Sequence, residues 1–314
     1  MTEIAPFQVA AKEPHPNAYE IVDVVANGTS EAETQMKADC RAAYAQALAW
    51  VVTGKSTYAN NAKAVMNDWA STFKRLESQA APRQVQLEAA WVAPIWAAAG
   101  EIIRHFDGGS AAWSAADIEE FSSMLGLYAY YSAKASTRSN NWGASAALTQ
   151  IAVGIFLDDH DMYRAGLETW KSRLPLIVSS SGVPNEFQNR QDCHHAQYSL
   201  LGLSHGAEVA WHQGEDLYGY RVGSEQKSRL MLGLEYSSNL FLGNATVPIS
   251  TGSMNCDGKM LPGYEHAYNH YKFRSSVSAQ DIGLFETAVL EERPDGTPGF
   301  FMGWSTLTHG ELSQ

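Results

Sequence analysis

The 314-residue sequence has few cysteines, only Cys40, Cys193 and Cys256. Three cysteines so far apart are too few for a disulfide framework or a zinc knuckle, and they allow one disulfide at most. The sequence also lacks an apolar run of the roughly 20 residues that span a bilayer, so we expect no membrane partner. Its start, MTEIAPFQVAAKEPHP, does not have the basic and apolar regions of a signal peptide. This start predicts either a cytoplasmic protein or one whose signal peptide has been replaced by the starting Met.

Positive charge is also scarce. Lys and Arg number 22 against 34 Asp and Glu, which gives a net charge of −12. Nucleic-acid binding requires clustered Lys and Arg side chains, so we expect no nucleic-acid partner. An anionic sugar polymer stays possible as a partner, because a local positive cleft suffices and repulsion from the remaining surface is screened within about 8 Å.

Apolar and aromatic residues, in contrast, are plentiful. Hydrophobic residues make up 45% of the chain and charged residues only 18%, which excludes a disordered protein. The nine Trp and 14 Tyr residues mostly serve core packing, although aromatic rings also stack on sugars. Strand signals are few, and TVPIS at 246–250 is the best of them. The composition therefore favours a globular helical protein.

Helical periodicity follows an extended, Pro-containing lead at residues 1–30. Apolar residues recur at steps of three and four from Met36 to Val51, and Gly54 is expected to end this helix. Consecutive helices with one apolar face predict α-hairpins lying side by side. The fold class we expect is all-α, an incomplete (α/α) toroid or barrel in a single domain at 31–314. Further helices are predicted at 62–73, at about 85–105 with a kink at Pro94, and from the capping residue Ser114 onward.

The first stretch with chemical potential is RSNNWGASAAL, which starts at Arg138. Asn140, Asn141 and Trp142 precede a predicted helix of small and apolar residues. An N-terminal helix cap explains one asparagine. The second asparagine and the Trp exceed what a cap requires, and they are candidates for binding or catalysis.

The second stretch is NEFQNRQDCHHAQYSLLGL, predicted to be helical from about Gln191 onward. In such a helix Arg190, His194 and Tyr198 share a face, and His195 neighbours Tyr198. A base, an acid and a cation would then meet on one side of one helix. The alternative is that one His makes a buried polar contact while Tyr198 packs in the core.

The third stretch, LPGYEHAYNHYKFR, is rich in Tyr and His. Tyr264 and Tyr268 belong to a tyrosine stripe that core packing explains in part. His266 and His270 are four residues apart and offer a possible zinc pair. A pair of this kind without the Glu of a metalloprotease motif is a weak signal, so we expect no metal and no cofactor.

These stretches resemble the alginate lyase family of polysaccharide lyases, whose members fold as (α/α) toroids. One branch has an Asn-Asn-His motif, and SNNWG matches both asparagines but has Trp142 in the place of the His. A branch that acts on alginate and glucuronan has an Arg-Asp-x-x-His helix that continues into a segment like AEIAWNQGxDLY. QDCHHAQYSLLGLSHGAEVAWHQGEDLY resembles that pattern from Asp192 to Tyr218, with Gln191 in the usual Arg place and Arg190 one residue earlier.

The resemblance implies a lyase that cleaves 1,4-linked polyuronates by β-elimination and leaves an unsaturated uronate end. The carboxylate must be neutralised before C5 can lose its proton, and Asn141 is our first choice for this role. A His and a Tyr would serve as base and acid, each within about 3 Å of its target. The candidate catalytic residues are Asn141, His195, Tyr198, Tyr264 and Tyr268, and the candidate substrate-binding residues are Asn140, Trp142, Arg190, His194, His270 and Arg274.

The sequence leaves several alternatives open. It does not choose between glucuronan and poly-mannuronate, and it says nothing about oligomeric state. A helical-toroid glycoside hydrolase with Asp192 and Glu265 as its carboxylates is one alternative function, and a noncatalytic uronate-binding protein is another. For a lyase of an anionic polysaccharide we expect a secreted or periplasmic location, with a cytoplasmic location as the alternative.

Overall fold

The computed structural model describes residues 14, 16–25, 28–190, 192–244, 260–296 and 301–310. The predicted strand at 246–250 lies outside the described residues. Two short strands, β1 (Ile21–Asp23) and β2 (Arg75–Glu77), pair in parallel. The longer helices are α1 (Glu31–Thr53), α2 (Ser56–Thr72), α3 (Gln84–His105), α4 (Ala115–Ala133), α5 (Asn141–Phe156), α6 (His160–Ile177), α8 (Cys193–Trp211), α9 (Arg229–Phe241) and α11 (Gly283–Glu291). The shorter helices are α7 (Asn185–Arg190), α10 (Glu265–Asn269) and α12 (Ser305–His309), and a π-helical turn at His270–Arg274 follows α10.

Contacts between Cα atoms divide the chain into two compact units, which we call the first unit and the second unit. The first comprises Met1–Ala135 and Ala152–Tyr163, and the second comprises Ser136–Ile151 and Arg164–Gln314. The domain division at residue 30 stays a prediction. No helix among the described residues is both long and apolar enough to cross a membrane.

Local capping explains the boundaries of two helices in the first unit. The Ser30 hydroxyl accepts a hydrogen bond from the backbone N–H of Glu33 and starts α1. Gly54 ends α1 in the left-handed conformation, at φ 66°, which glycine adopts without strain. Ser114 caps α4 through the N–H of Asp117. The predicted end of α1 and the predicted start of α4 are confirmed.

In the second unit, α8 packs against α7, α9 and α10, while α11 lies against α9. The prediction of one helix running through Arg190, His194 and Tyr198 is wrong, because α7 ends at Arg190 and α8 begins at Cys193. Asp192 between them has an extended backbone, and its side chain accepts a hydrogen bond from the N–H of His195. An Asp at this position starts a new helix because it satisfies one of the unpaired N–H groups of the first turn.

Candidate active site

Helices α5 and α8 approach each other closely where α8 has a glycine. A Cβ atom on Gly202 would lie 3.1 Å from the carbonyl carbon of Ala144, so only glycine permits this contact without displacement. Further along both helices, a Cβ on Gly206 would lie 3.6 Å from the side chain of Ile151. The two contacts occur in the same order along α5 and α8, so the helices run in the same direction at this crossing. Asn141 and Tyr198, each about one turn earlier, therefore lie at the same end of the helix pair.

The two adjacent asparagines have different environments. Asn140 is the helix cap, because its Oδ1 accepts a hydrogen bond from the N–H of Trp142 at 3.2 Å and its carbonyl accepts one from Ala144. Asn141 is 0% exposed, and its Oδ1 and Nδ2 have no hydrogen-bond partner among the described residues. A buried amide without partners costs about 1–3 kcal/mol, so it requires an explanation other than capping.

Asp192 orients His195. The Nδ1 atom of His195 lies 2.6 Å from Oδ2 of Asp192, while Oδ1 of the same carboxylate accepts the backbone N–H of His195. An imidazole whose Nδ1–H donates to a carboxylate keeps the lone pair on Nε2, which is the arrangement of a general base. The His195 side chain is 34% exposed, so this base is accessible. From the sequence, Asp192 was recognised only as part of the family motif and as a carboxylate of the alternative hydrolase, although its position three residues before His195 was a signal for this pairing.

Tyr198 lies beside His195. Their ring centroids are 5.6 Å apart in an edge-to-face arrangement, and the Tyr198 side chain is half-buried. Burial, and next the negative charge of Asp192, raise the pKa of Tyr198. The hydroxyl is therefore protonated at neutral pH and carries a proton that it can donate, although the raised pKa makes it a weaker acid than an ordinary tyrosine. We call Asn141, Asp192, His195 and Tyr198 the N-terminal cluster of α8.

The two other candidate tyrosines are in the core. The Tyr264 hydroxyl donates to the carbonyl of Gln197 at 3.0 Å, and burial raises its pKa well above the ordinary value. The Tyr268 hydroxyl donates to Oε1 of Glu286 at 3.0 Å. Both hydroxyls thus donate hydrogen bonds within the protein, and the structure brings Tyr198, rather than these two, next to His195.

The candidate substrate-binding residues do not form one group. Trp142 is partly buried, with the Arg138 guanidinium 5.3 Å from its ring centroid, and His194 is partly buried in the first turn of α8. The Arg190 side chain lies outside the described residues. His270 is buried against Tyr218, at 4.1 Å between ring centroids, and burial lowers the pKa of His270 to about 4.

Arg274 belongs to a second group at the other end of α8. Its Nη1 donates to Oε1 of Glu208 at 2.8 Å, and the same oxygen lies 3.0 Å from Nε2 of His212 and 3.1 Å from Nε2 of His309. Tyr218 donates to Oε2 of Glu208 at 3.0 Å. Although burial alone would raise it, the hydrogen bonds from His212 and His309 hold the pKa of Glu208 well below its usual range. We call Glu208, His212, Tyr218, Arg274 and His309 the C-terminal cluster.

The distance between the two clusters follows from helix geometry. Thirteen residues of α8 separate His195 from Glu208, which corresponds to about 20 Å along the helix axis. His266 and His270, considered above as a zinc pair, have different neighbours. His266 contacts His205, with ring centroids 4.3 Å apart, whereas His270 contacts Tyr218.

Comparisons with known proteins show similarity in both sequence and fold. The sequence matches the alginate lyase family over residues 15–236. The structure is similar to alginate lyase A1-III from Sphingomonas species A1, with a TM-score of 0.62, 19% sequence identity, and coverage of 83% of this chain and 78% of that chain. It is also similar to a Tyr-to-Phe variant of alginate lyase A1-III complexed with a tetrasaccharide, with a TM-score of 0.66, 17% identity, and coverage of 96% and 86%. The search of curated proteins gave no match.

These likenesses confirm the predicted all-α fold of the (α/α) toroid class. The family match covers well over half of the chain and confirms the predicted family and the predicted enzyme class. This chain belongs to the alginate lyase family and is a polysaccharide lyase.

Proposed function

We propose that the N-terminal cluster of α8 cleaves a 1,4-linked polyuronate, either glucuronan or the poly-mannuronate part of alginate, by β-elimination. The observation that carries this proposal is the buried Asn141 amide without a partner, at the same end of α5 and α8 as an oriented His195 and a protonated Tyr198. The tetrasaccharide bound to alginate lyase A1-III supports an oligosaccharide substrate for this fold.

Asn141 is proposed to neutralise the uronate carboxylate. The C5 proton is only weakly acidic while that carboxylate is fully charged. An amide N–H that donates to the carboxylate stabilises the charge that develops when C5 is deprotonated. Because the Asn141 side chain is 0% exposed, a substrate carboxylate reaches it only when the side chains that cover it move aside on binding.

His195 and Tyr198 are proposed to move the protons. Nε2 of His195 removes the proton from C5, the C4–O4 bond breaks, and a double bond forms between C4 and C5. The Tyr198 hydroxyl gives its proton to the departing O4, and the proton on His195 can then return to Tyr198 through solvent. In a variant of this scheme Tyr198 performs both transfers in turn.

The adjacency of His195 and Tyr198 favours particular substrates. In mannuronate and glucuronate the C5 hydrogen and O4 lie on the same side of the sugar ring, whereas in guluronate they lie on opposite sides. Two rings with centroids 5.6 Å apart act on one side of a bound sugar. We therefore expect cleavage of poly-mannuronate or glucuronan and poor cleavage of poly-guluronate. Asn140, Trp142 and His194 flank this group and are proposed to contact the substrate.

The hydrolase alternative requires two carboxylates, and the surroundings of Asp192 and Glu265 do not support that role. Asp192 is engaged with His195, and Glu265 is 2% exposed and paired with Arg293, whose Nε lies 3.1 Å from Oε2. Neither carboxylate has the surroundings of a general acid that faces a glycosidic bond.

The test is a panel of glucuronan, poly-mannuronate and poly-guluronate, followed by ultraviolet absorbance of the unsaturated uronate and by a reducing-end assay. We expect both signals to rise together on glucuronan or poly-mannuronate. Reducing ends without the absorbance would indicate hydrolysis, and binding without either signal would indicate a noncatalytic protein. Either result would contradict the proposal. The same panel is repeated with the His195→Ala variant, and any signal of equal size in that variant comes from contaminating enzymes.

A further inference from the structure

Three potential metal ligands converge at the end of α8 that is remote from the N-terminal cluster. Glu208 and His212 lie one helical turn apart, and His309 at the end of α12 reaches the same place from the distant C-terminal part of the chain. One ligand atom from each residue lies within 4.8 Å of the other two. The proposed elimination uses none of them.

We propose that Glu208, His212 and His309 bind a divalent transition-metal ion, with Zn²⁺ as the best fit. Zinc bound at about 2.0–2.1 Å in a tetrahedron has ligand atoms about 3.3 Å apart. The observed separations of 3.0 Å from Oε1 of Glu208 to Nε2 of His212, and of 3.1 Å to Nε2 of His309, are within a few tenths of an ångström of that edge. A water molecule would take the fourth position.

The hydrogen-bonding capacity of Glu208 supports this assignment. Oε1 faces three nitrogen atoms, from His212, His309 and Arg274, although a carboxylate oxygen has only about two lone-pair sites. A single metal ion between Oε1 and the two imidazoles replaces two of these donors, and Arg274 then remains as the second partner of that oxygen. The ion would thus remove the crowding at Oε1.

The surroundings of the three ligands also match a metal site. Ligating histidines usually bond their second ring nitrogen to a neighbouring group, and Nδ1 of His309 lies 2.7 Å from Oγ1 of Thr308. Tyr218 and Arg274 hold the two oxygens of Glu208 in the same way. The positive charge of Arg274 weakens the attraction for a cation. The two imidazole ligands select zinc-like ions over Mg²⁺ or Ca²⁺, which prefer oxygen.

The experiment measures metal binding directly and does not depend on lyase activity. The full-length protein is freed of metal with a chelator, and Zn²⁺ is titrated by calorimetry while Co²⁺ serves as a visible probe of coordination. We expect one Zn²⁺ per chain, d–d absorption bands with Co²⁺, and no competition by Mg²⁺. Thr308→Val should weaken Zn²⁺ binding by about 10–100-fold, the usual effect of losing a group that orients a ligand.

His212→Ala removes one ligand from an exposed position, so the fold should be retained and Zn²⁺ binding should be lost. His105→Ala is the matched control, because His105 also lies one turn from a carboxylate, Glu101, at 3.9 Å, in a pair outside any metal-ligand group found among the described residues. This control should bind Zn²⁺ as the wild type does. Failure of the wild type to bind one Zn²⁺, or equal binding by wild type and His212→Ala, would overturn the proposal.

Discussion

The two ends of α8 contain similar residue types, but their side chains differ in how fully they are hydrogen-bonded. The N-terminal cluster has a histidine held through one ring nitrogen and accessible through the rest of the ring, and it has an asparagine, at the same end of α5, whose amide has no partner among the described residues. In the C-terminal cluster, Glu208 accepts hydrogen bonds on both oxygens and is only 8% exposed. The presence of His, Tyr and a carboxylate therefore does not by itself identify a reactive site. What distinguishes the end that we propose to be reactive is an amide without hydrogen-bond partners among the described residues.

The sharpest test of this comparison replaces one tyrosine at each end. Tyr198→Phe should lower kcat by about 10²–10⁴-fold, because it removes the proposed proton donor. Tyr218→Phe removes the hydrogen bond to Glu208, so it should lower the free energy of unfolding by roughly 1–3 kcal/mol and leave kcat nearly unchanged. Steady-state kinetics and thermal melts on both variants provide the measurement. Equal kinetic effects would mean that the two ends do not differ in function.

The second prediction separates Asn141 from its neighbour. Asn141→Ala should lower kcat and kcat/KM together by about a hundredfold, or roughly 3 kcal/mol, because the amide stabilises charge that develops only during the reaction. Asn140→Ala is the matched control. It removes a helix cap, so it should cost about 1 kcal/mol of stability with a much smaller change in kcat. If the effects of the two substitutions were exchanged, the carboxylate would be bound by Asn140 instead.

The sequence predicted some parts of the structure better than others. The helical period and the capping residues Ser114 and Gly54 are local signals, and they located two helix boundaries correctly. The break before α8 was missed because the helix was expected to begin at about Gln191 with Arg190 on the same face as His194, whereas Asp192 starts a new helix. The pairing of Asp192 with His195 could have been predicted, because the two residues are only three positions apart in the sequence.

The C-terminal cluster was missed for a different reason. His309 lies 101 residues from Glu208 in the sequence, and only tertiary packing brings them together. Arg274 looked like a substrate ligand from its position in an aromatic stretch, but the structure pairs it with Glu208. Helical periodicity indicates which face of a helix is buried, but it does not indicate which distant side chain contacts that face.

The third prediction uses Asp192→Asn, which keeps a good helix cap and removes the negative charge. The amide can no longer hold His195 in one tautomer as firmly, so kcat should fall by roughly 10–100-fold. Because the charge of Asp192 contributes to raising the pKa of Tyr198, this pKa should decrease in the variant. Tyr198 must be protonated to act as the acid, so the alkaline limb of the pH profile should shift to lower pH. An unshifted alkaline limb would show that another group is the acid.

The smallest effect on activity is expected from removal of metal. If Zn²⁺ binds to Glu208, His212 and His309, it lies about 20 Å along α8 from His195 and takes no part in proton transfer. Exhaustive chelation should therefore lower the melting temperature, because a bound ion stabilises the folded state, while kcat measured well below that temperature stays unchanged. In the His212→Ala variant, chelation should no longer change the melting temperature. A loss of kcat that added Zn²⁺ restores in the wild type, but not in this variant, would instead connect the two ends of α8 in catalysis.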